Sequence, residues 1–393
     1  MTIRTCFRRN DLQNVTDYPG EGRIEGAMVT PYGGGMKRLV LVLSVLVVAA
    51  LAAGSTSYAA SDGAARQAAG RGVKHVPVPK AARAVDTSHP DHVIGNGTPS
   101  SCTSRKVVAA VARGGVITFR CGADPVVITM HATAKVFNRN KAGHDVKRVV
   151  IDGGGLVTLD GMGKRRILYQ DTCDPRQVWT TSHCDNQAFP RLVVQNLTLA
   201  HGNSTGKRFE GGGGGAVFDR GGQLKIVNTT FVGNRCDRTG PDLGGAAVRA
   251  LSQFRGRPVY VVGSAFRGGR CSNGSGLSSI GVSWTVLNSV FTGNRAIGHG
   301  ANPQRPGTKG GGSGGAIYTD GDRYRLVVAG TLMRHNHANE GGGAIFYVSN
   351  DRTGTLHLRW STLEGNVSER FETRPGIFYL GHGPIDVQHT VIR

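Results

Sequence analysis

Acidic side chains are scarce in this chain of 393 residues: 26 Asp and Glu face 47 Lys and Arg, giving a formal net charge of +21. A surface of that sign favours anionic partners. No recognised nucleic-acid-binding motif accompanies the charge, which argues against DNA or RNA as the anion. There is no CxxC and no pair of histidines at ligand spacing, which argues against a structural zinc site, the competing reading for the cysteines, and leaves any metal undetermined. Long hydrophobic runs are also missing apart from residues 39–53, and about 15 residues fall short of the roughly 20 that a spanning helix needs. Glycine is abundant instead, at 60 residues. The glycines keep no three-residue period, which excludes collagen, and the apolar residues fall on strand periods, which argues against disorder.

The single apolar run follows Lys37 and Arg38 and leads into the small residues Ser57-Tyr58-Ala59-Ala60. That order of charge, apolar stretch and small residues describes a secretory signal peptide over residues 36–60, and it makes the signal segment the only membrane contact expected. Residues 1–35 show neither helical nor strand period and read as a mis-assigned leader, with translation beginning at Met36 or Met28. Residues 61–98 are rich in Ala, Arg, Lys, His and Pro and read as a basic linker. Residues 99–393 form the remaining domain. Without Cys6 of the leader, six cysteines remain, an even number that suits disulfides in an exported chain. Sequence order pairs Cys102 with Cys121, Cys173 with Cys184, and Cys236 with Cys271.

One short phrase recurs six times between Leu192 and Asn366: apolar, any, apolar, any, then Asn, Gly or Trp, and three positions later a large apolar side chain. The copies begin at Leu192, Leu224, Val259, Trp284, Leu326 and Leu356. Period-two alternation means strand, and the break at the fifth position means turn. Asn234, Asn294, Asn336 and Asn366 close four of the copies with a second turn. Between copies lies a second phrase, seen in Gly214-Gly215-Ala216-Val217, Gly244-Gly245-Ala246, Gly314-Gly315-Ala316-Ile317 and Gly342-Gly343-Ala344-Ile345. A repeat of unequal spacing reads as a solenoid whose strands stay in register while its loops differ. Ahead of it, Val107, Val108 and Val111 share one face of a short helix ended by Gly114-Gly115, suited to capping the open end of the stack. Asn196, Asn228 and Asn288 occupy the same turn position and are expected to stack as a structural ladder.

The Gly-Gly-Ala-Ile and Phe-x-x-Asn phrases resemble those of right-handed parallel β-helix proteins in the pectin-lyase-like superfamily, in particular the repeats of polymorphic outer-membrane protein passenger domains. The resemblance spans residues 102–390 and implies an all-β, single-stranded right-handed parallel β-helix. Outer-membrane members carry a C-terminal barrel, which the residues after 390 do not resemble, so anchoring by such a barrel is not expected. Members of the superfamily bind, cleave or merely display, so three functions stay open: a secreted polysaccharide-binding or cell-surface structural protein without turnover, a Ca²⁺-assisted polysaccharide lyase or other carbohydrate-active enzyme, and an adhesin. A lyase of this kind needs carboxylates to hold Ca²⁺ and a cationic base, and a hydrolase needs paired acids from neighbouring coils. Beside the Gly-Gly-Ala strands the candidates are Asp219, Arg249, Asp320 and Glu340, with Glu210, Asp242 and Asp351 near them. Asp-Gly turns are the plain alternative for such acids. In the loop closed by Cys173 and Cys184, Trp179 beside Arg176 and Asp185 could stack on a sugar ring. The expected partner is an extracellular polysaccharide, and the expected state is a monomer.

Overall fold

A computed structural model describes residues 73–177 and 183–393. The proposed leader, the signal segment and Trp179 lie outside the described residues. Within them the strands assemble into four sheets of ten, nine, eight and four strands, and every pairing between named strands is parallel. The last complete winding shows the path. It runs from Ile345–Val348 in the eight-stranded sheet to Thr355–Arg359 in the ten-stranded sheet, Thr362–Glu364 in the nine-stranded sheet and Val367–Ser368 in the four-stranded sheet. The next winding then begins at Ile377–Leu380. This is the parallel solenoid that the repeats predict. Among the described residues no helix is long and apolar enough to cross a membrane.

The six phrases align in space as they align in sequence. Leu192 lies opposite Leu224, Val259 opposite Trp284, Trp284 opposite Leu326, and Leu326 opposite Leu356. Their large apolar partners stack likewise, and Phe231, Phe266 and Phe291 are fully buried with ring centroids 4.7 and 4.5 Å apart. Such stacked pairs add about 0.5–1.5 kcal/mol each beyond the area they bury. The fifth position has positive φ in every copy, at Asn196, Asn228, Gly263, Asn288, Gly330 and Trp360. Asn and Gly tolerate that left-handed backbone, which swings the chain from the ten-stranded sheet into the nine-stranded one. Inside this bend Ser or Thr hydroxyls form a buried column: Thr229 N donates to Ser264, Ser264 N to Ser289, Ser289 N to Thr331, and Thr331 N to Ser361.

The second turn carries an asparagine ladder, buried at Asn234, Asn294 and Asn336 and half-buried at Asn366. Asn294 Nδ2 donates to Asn336 Oδ1 at 2.9 Å, and Asn336 Nδ2 donates to Asn366 Oδ1 at 2.9 Å and to the Phe291 carbonyl at 3.0 Å. The Gly-Gly-Ala phrase has an equally local cause. Its first glycine takes a left-handed φ of +64° at Gly214 and +70° at Gly314, while a Cβ on Gly215 or Gly315 would lie 2.2 or 2.1 Å from a carbonyl of the next coil.

The capping helix α1, Ser104–Arg113, buries Val107, Ala110 and Val111 against the core; the Thr103 side chain caps its start and Gly114 ends it. All three disulfides join the cysteines that sequence order pairs. Of the stretch 61–98 expected as a basic linker, residues 73–98 are described and pack against the body. Residues 74–87 run along the outer face of the ten-stranded sheet as a strap, and His92–Ile94 then joins that sheet as its edge strand. Asn288 grips the strap by accepting from Val76 N at 2.8 Å and donating to Val76 O at 2.9 Å, and Gln195 holds both backbone groups of Val85 in the same way. Val76 and Ala82 cover Val227, Val262 and Leu287. Asn288 therefore leaves its expected ladder to bind the strap, whereas Asn228 does donate to Asn196.

Replacing Asn336 by Ala orphans the Asn294 amide donors and the Phe291 carbonyl inside the core, and is expected to lower stability by about 1–3 kcal/mol. Asn228→Gly keeps the left-handed turn at an exposed position and is expected to change it by only a few tenths. Unfolding midpoints of the two variants in denaturant check the contrast; equal losses would remove the ladder from the account of stability.

Candidate functional site

Strands of the eight-stranded sheet project alternate side chains inward and outward, so each candidate's place depends on its parity along the strand. Val217 lies opposite Val248 and Asp219 opposite Ala250, and these columns face the core. Phe218 lies opposite Arg249, and farther along the same outward column Ser278 pairs with Tyr318. The outward column is nonetheless buried, because the insertions between coils at residues 235–244 and 298–314 fold over it.

Beneath those loops the structure brings two of the four candidates together. Arg249 is fully buried; its guanidinium donates to Ser278 Oγ and to the Asp242 carbonyl, both at 2.6 Å, and its Nε has no partner. Burial lowers its pKa, against the opposing pull of the Tyr318, Asp242 and Asp320 groups. Asp320 accepts from Asn302 Nδ2 at 2.9 Å and Tyr318 Oη at 3.1 Å, and its other oxygen takes Gly321 N and Asn350 Nδ2. The Asn302 amide also donates to Asp242 Oδ1 at 2.7 Å, so a single side chain bridges the two acids. Burial raises the Asp320 carboxyl above its ordinary range, and the Asp242 charge adds to the effect. Every oxygen of Asp320 is thus occupied in fastening the loop to the sheet.

The other two candidates stand apart. Glu340 is fully buried and accepts both guanidinium nitrogens of Arg305, at 2.6 and 2.7 Å, together with Gly300 N at 2.8 Å. Burial alone would raise its pKa, but the Arg305 fork and the Gly300 amide outweigh it and hold the carboxyl below the usual value. Asp219 points inward, accepts from Gln253 Nε2 at 2.6 Å, and leaves its second oxygen unpartnered. Glu210 is ion-paired to buried Arg166, and Asp351 closes a turn on Thr353.

Around the second disulfide, Arg176 binds Asp174 through two 2.8 Å bonds, and Asp185 accepts from Arg220 Nε at 3.0 Å. Both residues are committed to local pairs. Among the described residues, the group best spaced for a metal is Cys173, Cys184 and Asp185, but its two sulfurs are bonded to each other and Ca²⁺ requires oxygen ligands. An open depression of about 1420 Å³ lies beside α1; within it Arg148 and Lys147 pair with Asp91 and Asp145.

The sequence pattern passed over one row. Immediately after the second turn come Arg235, Arg270, Arg295 and His337, aligned coil to coil. The available signal was the repetition of a basic residue after Asn234, Gly269, Asn294 and Asn336.

A family model for the Chlamydia polymorphic membrane protein repeat matches residues 288–320. The matched stretch carries Asn288, Phe291 and Asn294 of one phrase and Gly314-Gly315-Ala316-Ile317 of the other. No curated protein matches the chain. No solved structure matches it either.

Burial pushes the Asp219 carboxyl well above its ordinary value; Gln253 opposes the rise and the Asp171 charge adds to it. The folded chain therefore holds a proton that the unfolded chain releases, and this group's contribution to stability falls as pH rises from about 4 toward the raised value. Asn at position 219 does not titrate. Thermal midpoints of wild type and Asp219→Asn should move apart in the variant's favour with rising pH; a pH-independent difference would show that Asp219 titrates as an ordinary carboxyl.

Proposed function

We propose that the chain is an exported surface protein of the cell envelope: a monomeric, right-handed β-helix of the pectin-lyase-like kind that binds extracellular polysaccharide without turning it over. The observation that carries this reading is the match of residues 288–320, most of one coil, to a polymorphic membrane protein repeat, set within a parallel solenoid whose coils from Leu192 to Asn366 carry the same phrases. Residues 36–60 serve as the export signal in this reading. The positive charge supports an anionic ligand.

The absence of turnover is supported by how the acids are spent. Asp320, Glu340, Glu210 and Asp351 each hold a loop or turn, and Asp219 lies in the core. A Ca²⁺-assisted lyase needs several carboxylate oxygens free to face one ion, and a hydrolase needs two acids free to reach one glycosidic bond.

The test uses the full chain expressed in its own cells. Protease applied to intact cells should remove the protein, and the purified chain should be retained on acidic polysaccharide with no rise in unsaturated sugar or reducing ends, with or without Ca²⁺. Protection from protease in intact cells would sink the surface assignment, and unsaturated product would replace binding by lyase activity.

A further inference from the structure

We propose that Arg235, Arg270 and Arg295 form a binding track for a linear acidic polysaccharide lying along the solenoid axis. The proposal rests on the reading of the chain as an extracellular glycan-binding protein and names the surface that does the binding.

Strict register places these residues. Arg235 lies opposite Arg270, Arg270 opposite Arg295, and Arg295 opposite His337, so the cations repeat at the coil spacing of about 4.8 Å. All three arginines are exposed. Like charges directly opposite on neighbouring strands destabilise a sheet. Elsewhere the protein spends its few acids on such cations, as in the pairs Arg220–Asp185, Arg305–Glu340 and Arg393–Glu364. Among the described residues no carboxylate along this column neutralises any of the three arginines, and the one acid paired on it is Glu369, on His337 at 2.9 Å. The repulsion has no compensation within the described residues, and a polyanion would supply it.

The row is also held rigidly. On one side of the arginines lie buried Asn234 and Asn294, which hydrogen-bond into adjacent coils; on the other lie buried Cys236, Cys271 and Ala296, with Cys236 bonded to Cys271. Backbone freedom at each rung is therefore already lost before a ligand arrives, which lowers the cost of binding. Beside the column the turn positions Gly233, Gly268 and Gly293 carry no side chain. At its far end a cleft of about 320 Å³ opens between Gly293, Arg295, His335, His337 and Gly365.

Guanidinium forks suit planar carboxylates and sulfates, which they bind by two parallel hydrogen bonds. A chain bearing such a group on successive sugars offers anions in a line, as the arginines offer cations. A duplex nucleic acid instead presents paired, helically winding phosphate rows, which a single straight file of cations follows poorly.

The experiment measures affinity of the full chain for a polyuronate and, separately, for a sulfated glycan, comparing wild type with Arg235→Gln/Arg270→Gln/Arg295→Gln. A control carries Arg105→Gln/Arg323→Gln/Arg325→Gln, which removes equal charge from exposed positions elsewhere. Binding to the preferred glycan should weaken roughly tenfold for each track arginine lost, and far less in the control. Relief of repulsion should leave the melting midpoint of the track variant unchanged or raised, and Arg270→Gln alone, the middle rung, should already show its share of the loss. Equal affinities for wild type and track variant would overturn the track while leaving glycan binding standing. No binding of either glycan by wild type would overturn both, and tighter binding of duplex DNA than of either glycan would overturn the choice of ligand.

Discussion

Parallel pairing at a fixed coil spacing is the constraint on which this molecule depends. Once one strand lies in register on the next, every side-chain position becomes a column, and each column must be tolerable when stacked on itself. Apolar columns meet that condition by packing, as Leu192, Leu224, Val259 and Trp284 do along one inner face. Polar columns meet it only when each member both gives and takes a hydrogen bond. Asn, Ser and Thr can do so, which is why Asn294, Asn336 and Asn366 and the hydroxyls from Ser264 to Ser361 stand in files through the interior.

Charged columns are the exception, and the protein treats them in two ways. Over the eight-stranded sheet Arg249 and Asp320 are drawn under loops and enclosed in a network with Asp242, Asn302 and Tyr318, where a low dielectric strengthens each bond. That network reads as a fastening, since its acceptors are already filled. At the four-stranded sheet the arginines instead stand exposed and unneutralised on one of the most firmly anchored parts of the backbone. Two clusters of similar composition thus differ in what they have left to offer a ligand.

The repeat was legible because core columns require matching apolar residues at matching positions, and Phe231, Phe266 and Phe291 carry that signal openly. The disulfide pairs were legible too, since neighbouring cysteines in sequence occupy the same or adjacent coils. The site was less so. Asp219 and Asp320 lie three and four residues beyond Ala216 and Ala316, a difference of one that sends the first into the core and the second under a loop. The strap was hidden for another reason: the groups that grip Val76 and Val85 come from Asn288 and Gln195, far along the chain, and Val76 and Ala82 by themselves show no strand or helix period.

The sequence alone determined the winding, its register and the turns, because period-two alternation, left-handed Asn and Gly, and close-approach glycine are local demands that repeat with every coil. Only the tertiary structure decided which charges are consumed and which are free. Whether an acid finds a cation depends on loops of unequal length folding back across several coils, and such distances are set by the stacked body as a whole.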